Sequence, residues 1–160
     1  MDAGLLDNLV VFFSLVFYAF LFIVYVLRAR ELSRLEWKLR IAFSVQLVPF
    51  VSLWVVNLLI GNDSGRTLAG LPIILYLVYD LWYRLITQKK PYHHPERWPV
   101  GLVAYLLLLF IGSIGLNWYG YLISQFYGKL LVIAFFIMMS SYGYYQYMYS
   151  KKKAGESQTQ

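Results

Sequence analysis

The side chains best suited to chemistry lie in a proline-rich segment between two apolar runs. His93 and His94 are adjacent, and Glu96 follows two positions later. Imidazole and carboxylate groups bind divalent metals, but neighbouring side chains rarely reach the same ion, and a closed zinc site needs about four ligands. We therefore predict no cofactor and assign no metal, and keep headgroup or phosphate contact and a simple structured loop as alternatives. The candidate headgroup or metal contacts are Lys89, Lys90, His93, His94, Glu96 and Arg97.

A second candidate is an acidic residue inside an apolar run. Tyr76, Asp80 and Arg84 follow one another at four-residue steps, so a helix would place them on one face. A charged group in the hydrocarbon layer is costly unless it is paired or faces a protected cavity. Pairing with Arg84 is the structural interpretation of Asp80, and a proton or cation relay is the functional one.

Two amide side chains mark another apolar run. Gln46 and Asn57 are eleven residues apart, about three helical turns, so both point to nearly the same side. Pro49 lies between them, lacks an amide donor and predicts a kink. This face suits a pocket, although buried amides also bond neighbouring helices in ordinary bundles. The candidate polar path or cavity comprises Gln46, Asn57, Tyr76, Asp80 and Arg84.

Membrane-spanning helices must position these residues. The chain is 60% hydrophobic and only 14% charged, which would suit a soluble domain poorly. Five apolar runs each approach the length that crosses a layer of roughly 30 Å, the third only with its flanking residues. We predict an all-α polytopic transmembrane helix bundle, a single domain over 1–153 followed by a disordered tail over 154–160. The predicted spans are 9–27, 41–60, 68–83, 99–123 and 130–149.

The basic residues determine the predicted orientation. Twelve of the fourteen Lys and Arg residues form three clusters that follow the first, third and fifth runs, and only Arg66 and Lys129 lie elsewhere. Positive clusters stay in the cytoplasm, so we expect the N-terminus outside and the C-terminus in the cytoplasm. We predict a multi-pass protein of the cell (plasma) membrane whose cations meet anionic lipid headgroups and not nucleic acid.

Small residues indicate how two of the helices pack, because they permit close approach between helices. The fourth run contains Gly101, Ala104, Gly112, Ser113 and Gly115, and the fifth contains Ala134, Ser140, Ser141 and Gly143. We predict a seam between these two helices. Self-association through the same surface is the alternative.

The sequence has no catalytic signature. It lacks a Gly-rich phosphate loop, a GxSxG elbow, an HExxH motif and any cysteine. The leading hypothesis is a non-catalytic subunit or accessory component of a membrane complex, with other membrane subunits or a second copy as partners. One alternative is a small oligomeric transporter or channel with a polar path near Asp80. Another is a membrane enzyme that acts on a lipid headgroup at the cytoplasmic face through the histidine-bearing loop.

Overall fold

The computed structural model describes residues 3–61, 63–87 and 100–156. Within these ranges the chain is helical apart from short turns, and it contains no strand. The helices are α1 (Ala3–Ala29), α2 (Ser33–Val45), α3 (Leu47–Leu59), α4 (Ser64–Thr87), α5 (Val100–Ile123) and α6 (Gln125–Glu156). The all-α prediction is confirmed for this part of the chain.

Among the described residues, four stretches are long and apolar enough to cross a membrane. α4 is not one of the four, although its 24 residues measure about 36 Å. It carries Arg66 and Asp80 within its length. The described chain is therefore an all-helical bundle with four candidate membrane spans. They are Gly4–Ala29, Ala42–Leu59, Val103–Ile123 and Gln125–Lys152.

The second predicted run folds as two helices that meet at Gln46. α2 ends at Val45 and α3 begins at Leu47. At the junction the backbone N–H of Gln46 donates to the carbonyl of Phe43 at 3.1 Å, one residue closer in sequence than a regular helical bond. Pro49 has no N–H to donate to the carbonyl one turn earlier, so one regular helical bond is missing next to the junction. The helix is interrupted within the turn that precedes the proline, as the sequence predicts.

The helices form a ring: α1 packs on α6, α6 on α5, α5 on α4, α4 on α3, and α3 on α1. Helices that follow one another around the ring run antiparallel, except that α1 and α6 run parallel. The side chains that join these two helices show the shared direction, because Asn8 bonds Tyr127 near their starts and Glu31 pairs with Lys152 near their ends. We call the end of the ring that holds the start of α1 the Asp7 end.

Aromatic side chains fill the centre of the ring. The ring centroid of Phe17 lies 5.4 Å from that of Phe43, 6.2 Å from that of Phe50 and 5.9 Å from that of Tyr76. The last two pairs meet edge to face, an arrangement that contributes about 0.5–1.5 kcal/mol beyond area burial. Rings from α1, α2, α3 and α4 therefore meet at one point and separate the polar groups at the two ends.

The glycines of α5 pack differently from the prediction. A Cβ on Gly112 would lie 3.2 Å from the Cα of Ile73, and a Cβ on Gly115 would collide with the carbonyl of Ala69, so both glycines face α4. α5 and α6 approach each other at Gly120 and Gly128 instead. The predicted seam is therefore wrong at Gly112 and Gly115, and also at Ser140 and Gly143, which are exposed on α6. At about 100° per residue, Gly120 lies on a different side of α5 from Gly112 and Gly115.

α6 is longer than the predicted fifth span. It begins at Gln125, five residues before the predicted start, and continues to Glu156, three residues into the predicted tail. Residues 157–160 lie outside the described residues.

Candidate functional site

A buried carboxylate at the Asp7 end is bonded through both of its oxygens. Asp7 of α1 accepts a hydrogen bond of 2.8 Å from Arg66 of α4 through Oδ2, and one of 3.1 Å from the hydroxyl of Tyr119 through Oδ1. We call these three residues the Asp7 cluster. Since Tyr119 belongs to α5, one buried carboxylate ties together three helices, and a guanidinium offsets its charge.

A second set of bonds joins α3 to α4 beside the Asp7 cluster. Asn57 donates to the hydroxyl of Thr67 at 3.0 Å, and the indole N–H of Trp54 donates to the carbonyl of the same residue at 2.9 Å. Arg66 also reaches the carbonyl of Leu122 at 3.5 Å, a long bond. The first turn of α4 is thus bonded to α1, α3 and α5.

The predicted pocket residue Gln46 lies at the α2–α3 junction and is 5% exposed. Neither its Nε2 nor its Oε1 makes a hydrogen bond to any of the residues that the structure describes. A buried amide without partners costs about 1–3 kcal/mol per unsatisfied group. Such a group requires a water, a ligand or a second conformation to account for its retention.

The two other polar candidates of the core lie on α4. The hydroxyls of Tyr76 and Tyr105 share a buried hydrogen bond of 2.6 Å that joins α4 to α5. Asp80, one turn further along α4, is 4% exposed, as expected for an ionisable group inside a bundle. The side chain of Arg84 lies outside the described residues, so the Asp80–Arg84 pair stays a prediction.

At the end opposite Asp7, an arginine holds three helices. Arg28 of α1 donates through Nε and Nη2 to one oxygen of Glu36 on α2, at 3.0 and 2.8 Å. Its guanidinium carbon also lies 5.5 Å from the ring centroids of Tyr25 and of Tyr145 on α6. Planar guanidinium groups favour this combination of carboxylate pairing and ring stacking.

The whole histidine-bearing loop lies outside the described residues. Contact with a headgroup or a metal through these side chains stays a prediction. The residues concerned are Lys89, Lys90, His93, His94, Glu96 and Arg97.

The two amides that the sequence predicts on one helical face differ in their hydrogen bonds. Asn57 belongs to the bonded region at the Asp7 end, whereas Gln46 lies about 16 Å further along the helix axis, beyond the buried ring of Phe50. Sequence reasoning missed Asp7 and Arg66 as partners. A usable signal existed, since these opposite charges flank different apolar runs on the same predicted side.

Within the residues that the structure describes, no three His, Asp or Glu side chains come close enough to hold a metal ion. Comparisons with known protein families, with curated proteins and with solved structures found no match.

Proposed function

We propose that this chain crosses the cell membrane five times, with its N-terminus outside and its C-terminus in the cytoplasm, as a non-catalytic component of a membrane complex. The direction of α4 supports the fifth crossing: it runs antiparallel to α5, and both helices have 24 residues, which measure about 36 Å. The Lys and Arg side chains at the end of the ring opposite Asp7 then meet the anionic headgroups of the inner leaflet.

Cysteine labelling tests this topology because the chain has no native cysteine. Single cysteines replace Asp63 between α3 and α4, Lys129 in the first turns of α6, and Lys151 near its end. In intact cells, a membrane-impermeant maleimide should label Asp63→Cys and Lys129→Cys, and should label Lys151→Cys only after lysis. Labelling of Asp63→Cys and Lys129→Cys from opposite sides would mean that α4 does not cross.

The observation that carries the subunit proposal is the exposed face of α6. Only 22% of its spanning window is buried inside the bundle, compared with 44% for α1. Ser140 and Gly143 are exposed on α6, and no neighbouring atom lies within 4 Å of where a Cβ on Gly143 would stand. Small residues at such positions let another helix approach closely.

Crosslinking in the native membrane tests this role. A photoreactive amino acid at position 140 should yield a discrete protein adduct that also co-purifies in mild detergent. The matched control is the same amino acid at Leu107, which is exposed on α5 and should react with lipid. Crosslinks to lipid alone at both positions, together with purification of the chain in mild detergent without any other protein, would overturn the proposal.

A second candidate function, a small oligomeric transporter or channel, is favoured by the unbonded amide of Gln46. Asp80 is a buried ionisable group on α4, and ionisable groups inside a helical bundle often mark transport paths. In liposomes, Asp80→Asn should abolish ion flux while the fold survives. Unchanged flux would remove Asp80 from the transport path.

A further inference from the structure

One side of α6 is exposed over the depth of a membrane. Exposed residues recur there at steps of three and four, so at about 100° per residue they lie within roughly 80° of one another. We call this row the α6 stripe. It rises about 27 Å along the helix, close to the roughly 30 Å of a hydrocarbon layer. The α6 stripe comprises Lys129, Ile133, Phe136, Ser140, Gly143 and Tyr147.

The opposite side of α6 belongs to the bundle. Leu131, Met138 and Tyr145 lie on that side and are buried. On the α6 stripe, by contrast, Ile133 is 57% exposed and Phe136 is 63% exposed. Lipid chains can cover these apolar side chains, so only the charged residue of the stripe distinguishes a protein partner from lipid.

That charged residue is Lys129. In the proposed orientation, Lys129 and Arg66 are the two cations of the chain that lie toward the outer side, where Lys and Arg are depleted. Arg66 is paired with Asp7. Lys129 is exposed, and none of the carboxylates that the structure describes forms an ion pair with it. Because the anionic lipids of a cell membrane lie mainly in the cytoplasmic leaflet, the outer leaflet supplies less negative charge to this amine.

A second copy of the chain does not supply the missing charge. In a dimer whose two-fold axis lies along the membrane normal, each residue near the axis meets the same residue of its partner. Two α6 stripes packed in this way would bring one Lys129 close to the other, and like charges repel. A carboxylate opposite Lys129 must therefore come from a different chain.

We propose, resting on the subunit role described above, that the α6 stripe binds a transmembrane helix of a different subunit, which carries an Asp or Glu at its outer end opposite Lys129. Ser140 and Gly143 allow the two backbones to approach closely further into the membrane. The hydroxyl of Ser140 already donates to the carbonyl of Phe136 at 2.9 Å. The partner therefore needs no polar group at that depth, and its carboxylate determines the match.

Variants of Lys129 in native membranes test this pairing, with the photoreactive amino acid at position 140 as the probe. Lys129→Gln should reduce the protein adduct by about fivefold, since it removes a partly exposed ion pair. Lys129→Glu should reduce it by about tenfold or more, since it also adds repulsion. Lys129→Arg keeps the charge and should keep the adduct. Lys38→Glu, a matched charge reversal at an exposed cation of α2, should leave the adduct unchanged.

A carbodiimide identifies the negative group, because it condenses a lysine amine with a contacting carboxylate to form an amide. In the chain with Lys129, it should produce an adduct with the same partner that the probe at position 140 labels. In Lys129→Arg, this adduct should disappear while the photochemical adduct persists, since a guanidinium stays protonated and is not a nucleophile.

The outcomes separate this partner from the subunit role itself. A position-140 adduct that Lys129→Glu leaves unchanged would overturn the carboxylate partner and leave the subunit role intact. Carbodiimide adducts with lipid alone, or with a second copy at twice the mass of the chain, would also overturn it. Absence of any protein adduct at position 140 would remove the subunit role and this partner with it.

Discussion

The Asp7 end and the α2–α3 junction bury polar side chains to a similar degree but use them in opposite ways. At the Asp7 end, both carboxylate oxygens are bonded, to α4 and to α5. At the junction, the amide of Gln46 is 5% exposed and makes no bond at either atom. Burial alone therefore does not indicate what a polar residue contributes to this bundle.

Bonded and unbonded buried groups should respond differently to substitution. A bonded group stabilises the fold, and removing one partner strands the other at the full desolvation cost. An unbonded group already bears that cost, so an apolar replacement relieves it. The two regions should thus respond to mutation with opposite signs.

The largest effect is expected at Arg66. Arg66→Met keeps the apolar stem but leaves the Asp7 carboxylate without its cation, which should lower the free energy of unfolding by about 3 kcal/mol. Reversible unfolding in mixed detergent micelles measures this. The Asp7→Asn, Arg66→Met double variant should recover part of the loss, and purely additive losses would mean that the pair contributes no coupling energy.

The next effect should have the opposite sign. Gln46→Leu replaces an unbonded amide with an apolar group of similar size and should raise the free energy of unfolding by about 1–2 kcal/mol. The matched change Asn57→Leu removes a bonded amide and should lower it by about 1 kcal/mol. Destabilisation by both substitutions would show that Gln46 is bonded, for instance to an internal water.

A smaller loss is expected for one hydroxyl of the Asp7 cluster. Tyr119→Phe keeps the ring but removes the donor to Asp7, so the free energy of unfolding should fall by about 1 kcal/mol. Tyr121→Phe, at a tyrosine that is 47% exposed, provides the control and should change little. Equal losses for Tyr119→Phe and Tyr121→Phe in the same micelle assay would mean that the loss does not come from the hydrogen bond to Asp7.

The smallest effect should come from the exposed ion pair. Lys152 and Glu31 have side chains that are 56% and 67% exposed, and such pairs contribute about 0–1 kcal/mol. Lys152→Gln should therefore leave the unfolding midpoint within the error of the measurement. A loss comparable to that of Arg66→Met would mean that exposure does not separate the two ion pairs.

Helix positions were largely predictable because apolar runs and the kink at Pro49 depend on local chemistry. Helix ends were less so: α6 begins at Gln125 because the Oγ of Ser124 accepts a hydrogen bond of 3.2 Å from the backbone N–H of Tyr127, a capping signal that the pattern of apolar runs does not show. The facing of Gly112 and Gly115 was not predictable, because small residues permit close packing without identifying the neighbour. Only the arrangement of the whole ring assigns them to α4.

Among the candidate site residues, too, local features were predictable and packing partners were not. Burial of Gln46 and Asp80 could be predicted from their position within apolar runs. The pairing of Asp7 with Arg66 joins residues 59 positions apart, and the charge pattern alone does not identify either residue as the partner of the other. Long-range partners of this kind depend on the order of helices around the ring, which the sequence does not encode locally.

The contact between α1 and α6 has a consequence for biosynthesis. These helices share ring contacts from Tyr18 to Phe135 and from Tyr25 to Tyr142, yet of the described helices one leaves the ribosome first and the other last. At typical elongation speeds, α1 waits roughly ten seconds for its neighbour. Tyr18 can already donate to α5, at Ser113 and Asn117, but its ring contact and that of Tyr25 stay open until α6 arrives, so nascent chains that stall before α6 emerges should be recognised as unfinished and degraded.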